Sequence, residues 1–171
     1  MIVRLVGSEM CIRDSTIPFK HRANKIFVKA QDIELNKTIV VTVDYKGKPP
    51  IAKNPPWSGG FTWTKSQDGY PWVGVSCQAN GSYLWYPSKE HPSDEPEGAD
   101  IHITVTKPLS VASNGVLQKV TDLKNKWHTW HWKTKYNINP YNINFTVGNF
   151  EIVERIIPVS YTHLRAHETY D

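Results

Sequence analysis

Few residues in this chain have types and spacing suited to chemistry. His128 and His131 stand three apart in the run Trp127-His128-Thr129-Trp130-His131-Trp132. On a helix, that spacing could bring two imidazoles to one metal ion. The run reads as a strand, which sends positions 128 and 131 to opposite faces, so structural roles are expected. His91, Asp94, Glu95 and Glu97 carry possible cation donors, but they sit in a proline-bearing stretch expected to be a solvated loop. Cys77 has several histidines elsewhere as formal partners and no feature of an activated nucleophile; a small buried hydrophobe is expected. There is no His-Glu-x-x-His, glycine-rich phosphate loop or Gly-x-Ser-x-Gly. No catalytic residue and no metal ligand is therefore assigned, and no cofactor is expected in the chain itself.

The elements around these residues read as strands. Ile39, Val41, Val43 and Tyr45 alternate with Thr42 and Asp44. Ile101, Ile103 and Val105 alternate with His102 and Thr104. Ile143, Phe145 and Val147 alternate with Asn142, Asn144 and Thr146. Weaker strand candidates are 24–30, 60–64, 71–76, 82–86, 116–121, 126–135 and 150–155, rich in β-branched and aromatic residues. Turn signals separate them at 46–50, Asp68-Gly69, Asn114-Gly115 and Asn139-Pro140. No segment keeps helical periodicity over three turns. The expected fold is all-β, an antiparallel β-sandwich or a large bent, saddle-like sheet. Residues 87–98, with three prolines, are expected to form an ordered loop.

The 171-residue length argues for one domain, and 39% hydrophobic residues argue for a packed core. No apolar run approaches the ~18 residues of a membrane span, so none is expected. A formal charge of +4 is too small and dispersed to argue for nucleic acid.

The ends have a different character. One codon choice for residues 5–14, Leu-Val-Gly-Ser-Glu-Met-Cys-Ile-Arg-Asp, has a reverse complement that translates, without mismatch, as residues 159–168, Val-Ser-Tyr-Thr-His-Leu-Arg-Ala-His-Glu. The DNA resembles a transposase adapter of the kind met in metagenomic-type libraries. Residues 1–15 and 158–171 are therefore expected to be translated adapter, not native protein, and residues 16–157 the domain. Both Met residues, Met1 and Met10, fall in the first segment. The 16–157 stretch is thus expected to be an incomplete fragment of a longer gene. Met-Ile-Val-Arg-Leu-Val still has high strand propensity, so an accidental edge strand at 1–6 or 159–163 is compatible with this origin.

A family resemblance emerges in the middle of the chain. Its carriers are Pro55-Pro56-Trp57-Ser58-Gly59-Gly60-Phe61-Thr62-Trp63, Pro71-Trp72-Val73-Gly74-Val75-Ser76-Cys77-Gln78-Ala79, and Leu84-Trp85-Tyr86-Pro87 through Pro96. Ser113-Asn114-Gly115 and the run from Trp130 to Ile143 continue the order. Together they resemble the N-terminal domain of the zinc metallopeptidases related to aminopeptidase N and leukotriene hydrolase, the gluzincin aminopeptidases. The family's Pro-Cys-x-Asp-x-Pro loop stands here as Pro87-Ser88-Lys89-Glu90-His91-Pro92, with Ser for Cys and Glu for Asp. The family's zinc-binding motif, Gly-x-Met-Glu-Asn segment and catalytic Tyr belong to later domains and have no counterpart here.

The resemblance implies a noncatalytic domain that forms one wall of a substrate cleft. Its partners would be the missing catalytic domain of the same polypeptide, which would hold the zinc, and a peptide substrate. The parent would be a hydrolase and this chain alone inactive. The resemblance also marks Gln78 and Ala79 as substrate-binding, because a Gln followed by a small residue projects into the family's cleft. A Gln amide oxygen can accept a hydrogen bond from a free α-ammonium while its NH₂ donates to a carbonyl. The plainer alternative is an ordinary loop residue. A different class of function is a freestanding, Trp-rich β-sandwich module that binds carbohydrate or peptide through Trp57, Trp63, Trp72 or Trp85.

Overall fold

The computed structural model describes residues 2–7, 15–23, 25–28, 39–77, 81–89, 91 and 93–153. Among the described residues, twelve strands occur in this order: β1 (Ile2–Gly7), β2 (Ser15–Thr16), β3 (Phe19–Arg22), β4 (Lys25–Val28), β5 (Ile39–Asp44), β6 (Gly60–Lys65), β7 (Pro71–Ser76), β8 (Ala99–Thr106), β9 (Ser110–Ser113), β10 (Val116–Asp122), β11 (Trp127–Thr134) and β12 (Phe145–Gly148). They form four sheets, ordered β6-β7-β12-β9, β10-β11-β8, β2-β1-β5 and β3-β4. Every strand pair is antiparallel. The all-β expectation is met.

The core lies between the first two sheets. Phe61, Val73, Val111, Phe145 and Val147 come from β6, β7, β9 and β12, and Trp130 comes from β11. Ile101, Ile138 and Ile143 extend it at one end. Period-two alternation decides which residues enter. On β11, His128, Trp130 and Thr134 are buried while Trp127 is exposed. Aromatic tips then cross between the sheets to satisfy themselves: Trp132 Nε1 donates to Val111 O at 3.0 Å. His128 Nε2 lies 2.7 Å from Leu109 O, and Trp130 Nε1–H approaches the same nitrogen at 3.3 Å. A carbonyl only accepts, so the shorter contact puts the proton on His128 Nε2 and makes the Trp130 approach the weaker one.

Turn chemistry sets the hairpins. Between β10 and β11, Asn125 and Lys126 have φ of 60° and 65°, the signature of a type I′ turn. Between β9 and β10, Gly115 has φ +85°, and a Cβ there would lie 2.1 Å from Lys133 O. Only glycine fits that approach.

Three sequence expectations are corrected. Residues 82–86 form a 3₁₀ turn at Ser82–Leu84 instead of a strand. Trp85 Nε1 donates to Ile143 O at 3.2 Å and Tyr86 OH to Pro140 O at 2.9 Å. Two consecutive side chains thus face the same turn, which a strand's alternation forbids. The strand read over 143–147 begins only at Phe145, because a second 3₁₀ turn occupies Pro140–Asn142. Of the 150–155 candidate, the described part, 150–153, carries no strand, and Ile152 and Val153 are exposed. Gly148 closes β12, with the Phe150 ring lying where a Cβ would be.

The strand expected at 1–6 is present as β1, but it lies inside its sheet, pairing with both β2 and β5. The 159–163 candidate lies outside the described residues. A chain cut to 16–157 is expected to keep a cooperative melt and the near-UV circular dichroism of its buried tryptophans. Loss of either would make the first segment part of the core.

Candidate functional site

A cleft of about 610 Å³ lies on the outer face of the β6-β7-β12-β9 sheet, opposite the core. Its floor uses the outward positions of three adjacent strands: Thr62, Trp72, Gly74, Ser76 and Thr146. Gly74 is required there, since a Cβ would sit 2.8 Å from the Trp72 ring. One wall is Pro55-Pro56, tied to the floor by Ser76 Oγ, which donates to Pro56 O at 2.9 Å. Tyr141, Asn142 and Asn144 form the other wall. Asn144 is held from behind, its backbone N–H donating to Asn114 Oδ1 at 2.8 Å. The volume is that of a small-ligand or peptide-end site.

Among the described residues, the lining holds rings, hydroxyls, amides, Val75 and the Cys77 thiol, and no His, carboxylate or cationic side chain. It can orient a ligand by hydrogen bonds. Among the described lining residues there is no carboxylate or imidazole to act as a general base, and Cys77 is the one soft metal donor.

Gln78 and Ala79 lie outside the described residues. Their flanks are placed: Cys77 is buried at 3% exposure and lines the cleft, and Gly81 N–H donates to Cys77 O at 2.7 Å. The burial expected for Cys77 is met.

The other expected residues distribute as follows. His128 and His131 do face opposite sides of β11, one buried and one half-buried. In the loop, His91 Nδ1 meets Ser93 Oγ at 2.7 Å and Lys89 Nζ meets Asp94 Oδ1 at 3.1 Å. No metal-type cluster forms there among the described residues. Trp57 (70% exposed) and Trp63 (58%) are open to solvent, whereas Trp85 packs edge-on against Phe145 in the core. Trp57 is in a loop and Trp63 stacks on Phe61 at the core edge, so they do not make one aromatic platform.

Sequence reading missed a polar cluster on the outer face of the β10-β11-β8 sheet. His131 Nε2 lies 2.6 Å from Asp100 Oδ1, Lys133 Nζ lies 2.9 Å from Asp100 Oδ2, and the His131 ring stacks on His102 at 4.0 Å. These residues are about 30 apart in sequence, and only strand register joins them. The Lys133 hydrogen bond, then that of His131, holds the Asp100 carboxyl below the usual carboxylate range.

No protein-family profile matches the chain, and no curated protein does. Solved structures do. A two-domain M1 zinc metallopeptidase, crystallised as a mutant with L-arginine, aligns at a TM-score of 0.65 and 20% identity over 86% of this chain. An M1 zinc metallopeptidase from Deinococcus radiodurans aligns at 0.64 and 18% over the same share. A mutant M1 zinc metallopeptidase from that organism, bound to a Tyr-Ser-Ala substrate, aligns at 0.64 and 20%. The chain therefore shares its fold with part of the M1 zinc metallopeptidases. It spans about a third of the length of each.

The depressed Asp100 carboxyl has a defined pH signature. Its contribution to stability is present above the unfolded carboxylate value, about 3.9, and is lost as pH falls through the lower folded value. Melting temperatures of the protein and its Asp100→Asn variant should differ near neutrality and converge in acid below that value. A gap constant down to strongly acidic pH would remove the ion pair from the stability of the sheet.

Proposed function

We propose that this chain is the noncatalytic N-terminal β domain of a zinc-dependent aminopeptidase. It forms one wall of the substrate cleft and helps recognise the peptide's free N-terminus. The catalytic domain of the same polypeptide is its partner and carries the zinc. The carrying observation is that Ser76 and Cys77, just before Gln78-Ala79 in sequence, line a cleft whose described residues are uncharged and can hydrogen-bond. The fold shared with a third of each M1 zinc metallopeptidase supports the same reading.

The chemistry divides accordingly. Peptide hydrolysis needs a metal to lower the pKa of water and polarise the carbonyl, together with a general base. The cleft supplies neither. It supplies hydroxyl, amide and ring groups along its walls, and Gln78 supplies an amide oxygen that can accept from an α-ammonium. Reading the charged chain end makes the parent an exopeptidase.

The purified chain is expected to release no N-terminal amino acid from peptides, with or without added zinc. Zinc-dependent release abolished by substituting His128 or His131 would contradict the assignment.

In the intact parent, Gln78→Ala is expected to impair cleavage of peptides with a free N-terminus and to leave folding within ~0.5 kcal/mol of the original. Loss of a hydrogen bond to a charged group costs about 1.5–3 kcal/mol, roughly ten- to over a hundredfold in kcat/KM. If the contact is equal in ground and transition states, KM changes; if it strengthens in the transition state, kcat falls too. Steady-state kinetics on matched free and N-acetylated peptides measure this. Unchanged discrimination between the two would remove Gln78 from the site.

A further inference from the structure

The outer face of the β8–β11 pair carries a second set of functional groups, distant in role from the cleft. Register places His131 directly opposite His102 and Lys133 directly opposite Asp100. Asp100 and His102 are two apart on β8, so both project to the outer face with His131. One ligand atom from each of Asp100, His102 and His131 lies within 4.8 Å of the other two.

We propose that Asp100, His102 and His131 form a binding site for a divalent transition-metal ion of the zinc class. Two imidazoles and one carboxylate are a zinc donor set, and the fourth position stays open to water. That set favours Zn²⁺, Cu²⁺ or Ni²⁺ over Mg²⁺ and Ca²⁺, which prefer all-oxygen shells.

The geometry needs only side-chain adjustment. With bonds of ~2.0–2.2 Å, two donors on a tetrahedral ion stand about 3.4 Å apart. His131 Nε2 and Asp100 Oδ1, now 2.6 Å apart, part by under an ångström as the ion replaces their hydrogen bond. The stacked rings, 15° from parallel, splay so that their lone pairs converge. His102 is exposed, so its ring can turn off the His131 stack while the backbone ladder below holds register.

The surroundings tune the site. Lys133 Nζ holds Asp100 Oδ2 and so orients the carboxylate while leaving Oδ1 to the ion. Lys119 pairs with His131 from β10. Both cations weaken the ion's hold without removing a donor.

Zinc titration of the full chain by isothermal calorimetry tests this, with Zn²⁺ as the probe. His21, His91, His163 and His167 are first replaced by Gln. That background should still bind one equivalent of Zn²⁺ near neutral pH. Adding His102→Ala should weaken binding by at least about tenfold, and Asp100→Asn should weaken it too, with circular dichroism unchanged. No binding in the Gln background, or equal binding after His102→Ala in a folded variant, would overturn the site. Because the readout is metal binding in the absence of peptide, it stands apart from the aminopeptidase assignment.

Discussion

The two-residue pleat of β11 is the constraint on which most of this molecule depends. Its inward positions put His128, Trp130 and Thr134 into the buried layer. Trp130 fills the space between the sheets, and Thr134 Oγ1 accepts from Ala99 N at 2.9 Å to fasten the end of β8. Its outward positions carry Thr129, His131 and Lys133 into register with Thr104, His102 and Asp100. A slip of one residue would bury a lysine and expose the core tryptophan at once. The register is thus fixed by burial, and the polar face inherits its order from it.

The second sheet depends on the same layer. Phe61, Val73, Phe145 and Val147 face Trp130, which leaves Thr62, Trp72, Gly74 and Thr146 on the opposite side as the cleft floor. Core and cleft are two faces of one pleated sheet. The walls come from irregular segments held by specific bonds: Ser76 to Pro56 on one side, Asn114 to Asn144 on the other. Tyr45, just after β5, donates to Trp85 O at 2.6 Å and links the 82–86 turn to a separate sheet; its burial raises the phenol's pKa.

Much of this was legible in the sequence, for physical reasons that differ between elements. The strand β8 announces itself because Ile101 and Ile103 turn inward while Asp100, His102 and Thr104 are exposed, which writes an alternating pattern; β5 alternates in sequence although Val40 and Val41 are both exposed. The hairpin at Asp68-Gly69 was equally plain: Gly69 has φ +81° and donates to Ser66 O at 3.0 Å. The 82–86 segment misled because Tyr83, Leu84, Trp85 and Tyr86 have strand propensity, while the carbonyls of Pro140 and Ile143 draw Trp85 and Tyr86 to one side. The strand β9, four residues of Ser-Val-Ala-Ser, is too short to show a pattern. For the sites, local spacing pointed to His128 with His131, which the pleat separates. The pair brought together, His102 with His131, is set by strand register, which no local motif encodes.

Reading the coding sequence of the same gene beyond Ile157 tests the proposed assignment most directly. The account predicts that the native frame continues into a catalytic domain containing His-Glu-x-x-His and a downstream Glu. A native stop codon soon after Ile157 would contradict it, and would leave a freestanding β-sandwich whose exposed Trp57 and Trp63 become the first groups to test for ligand binding.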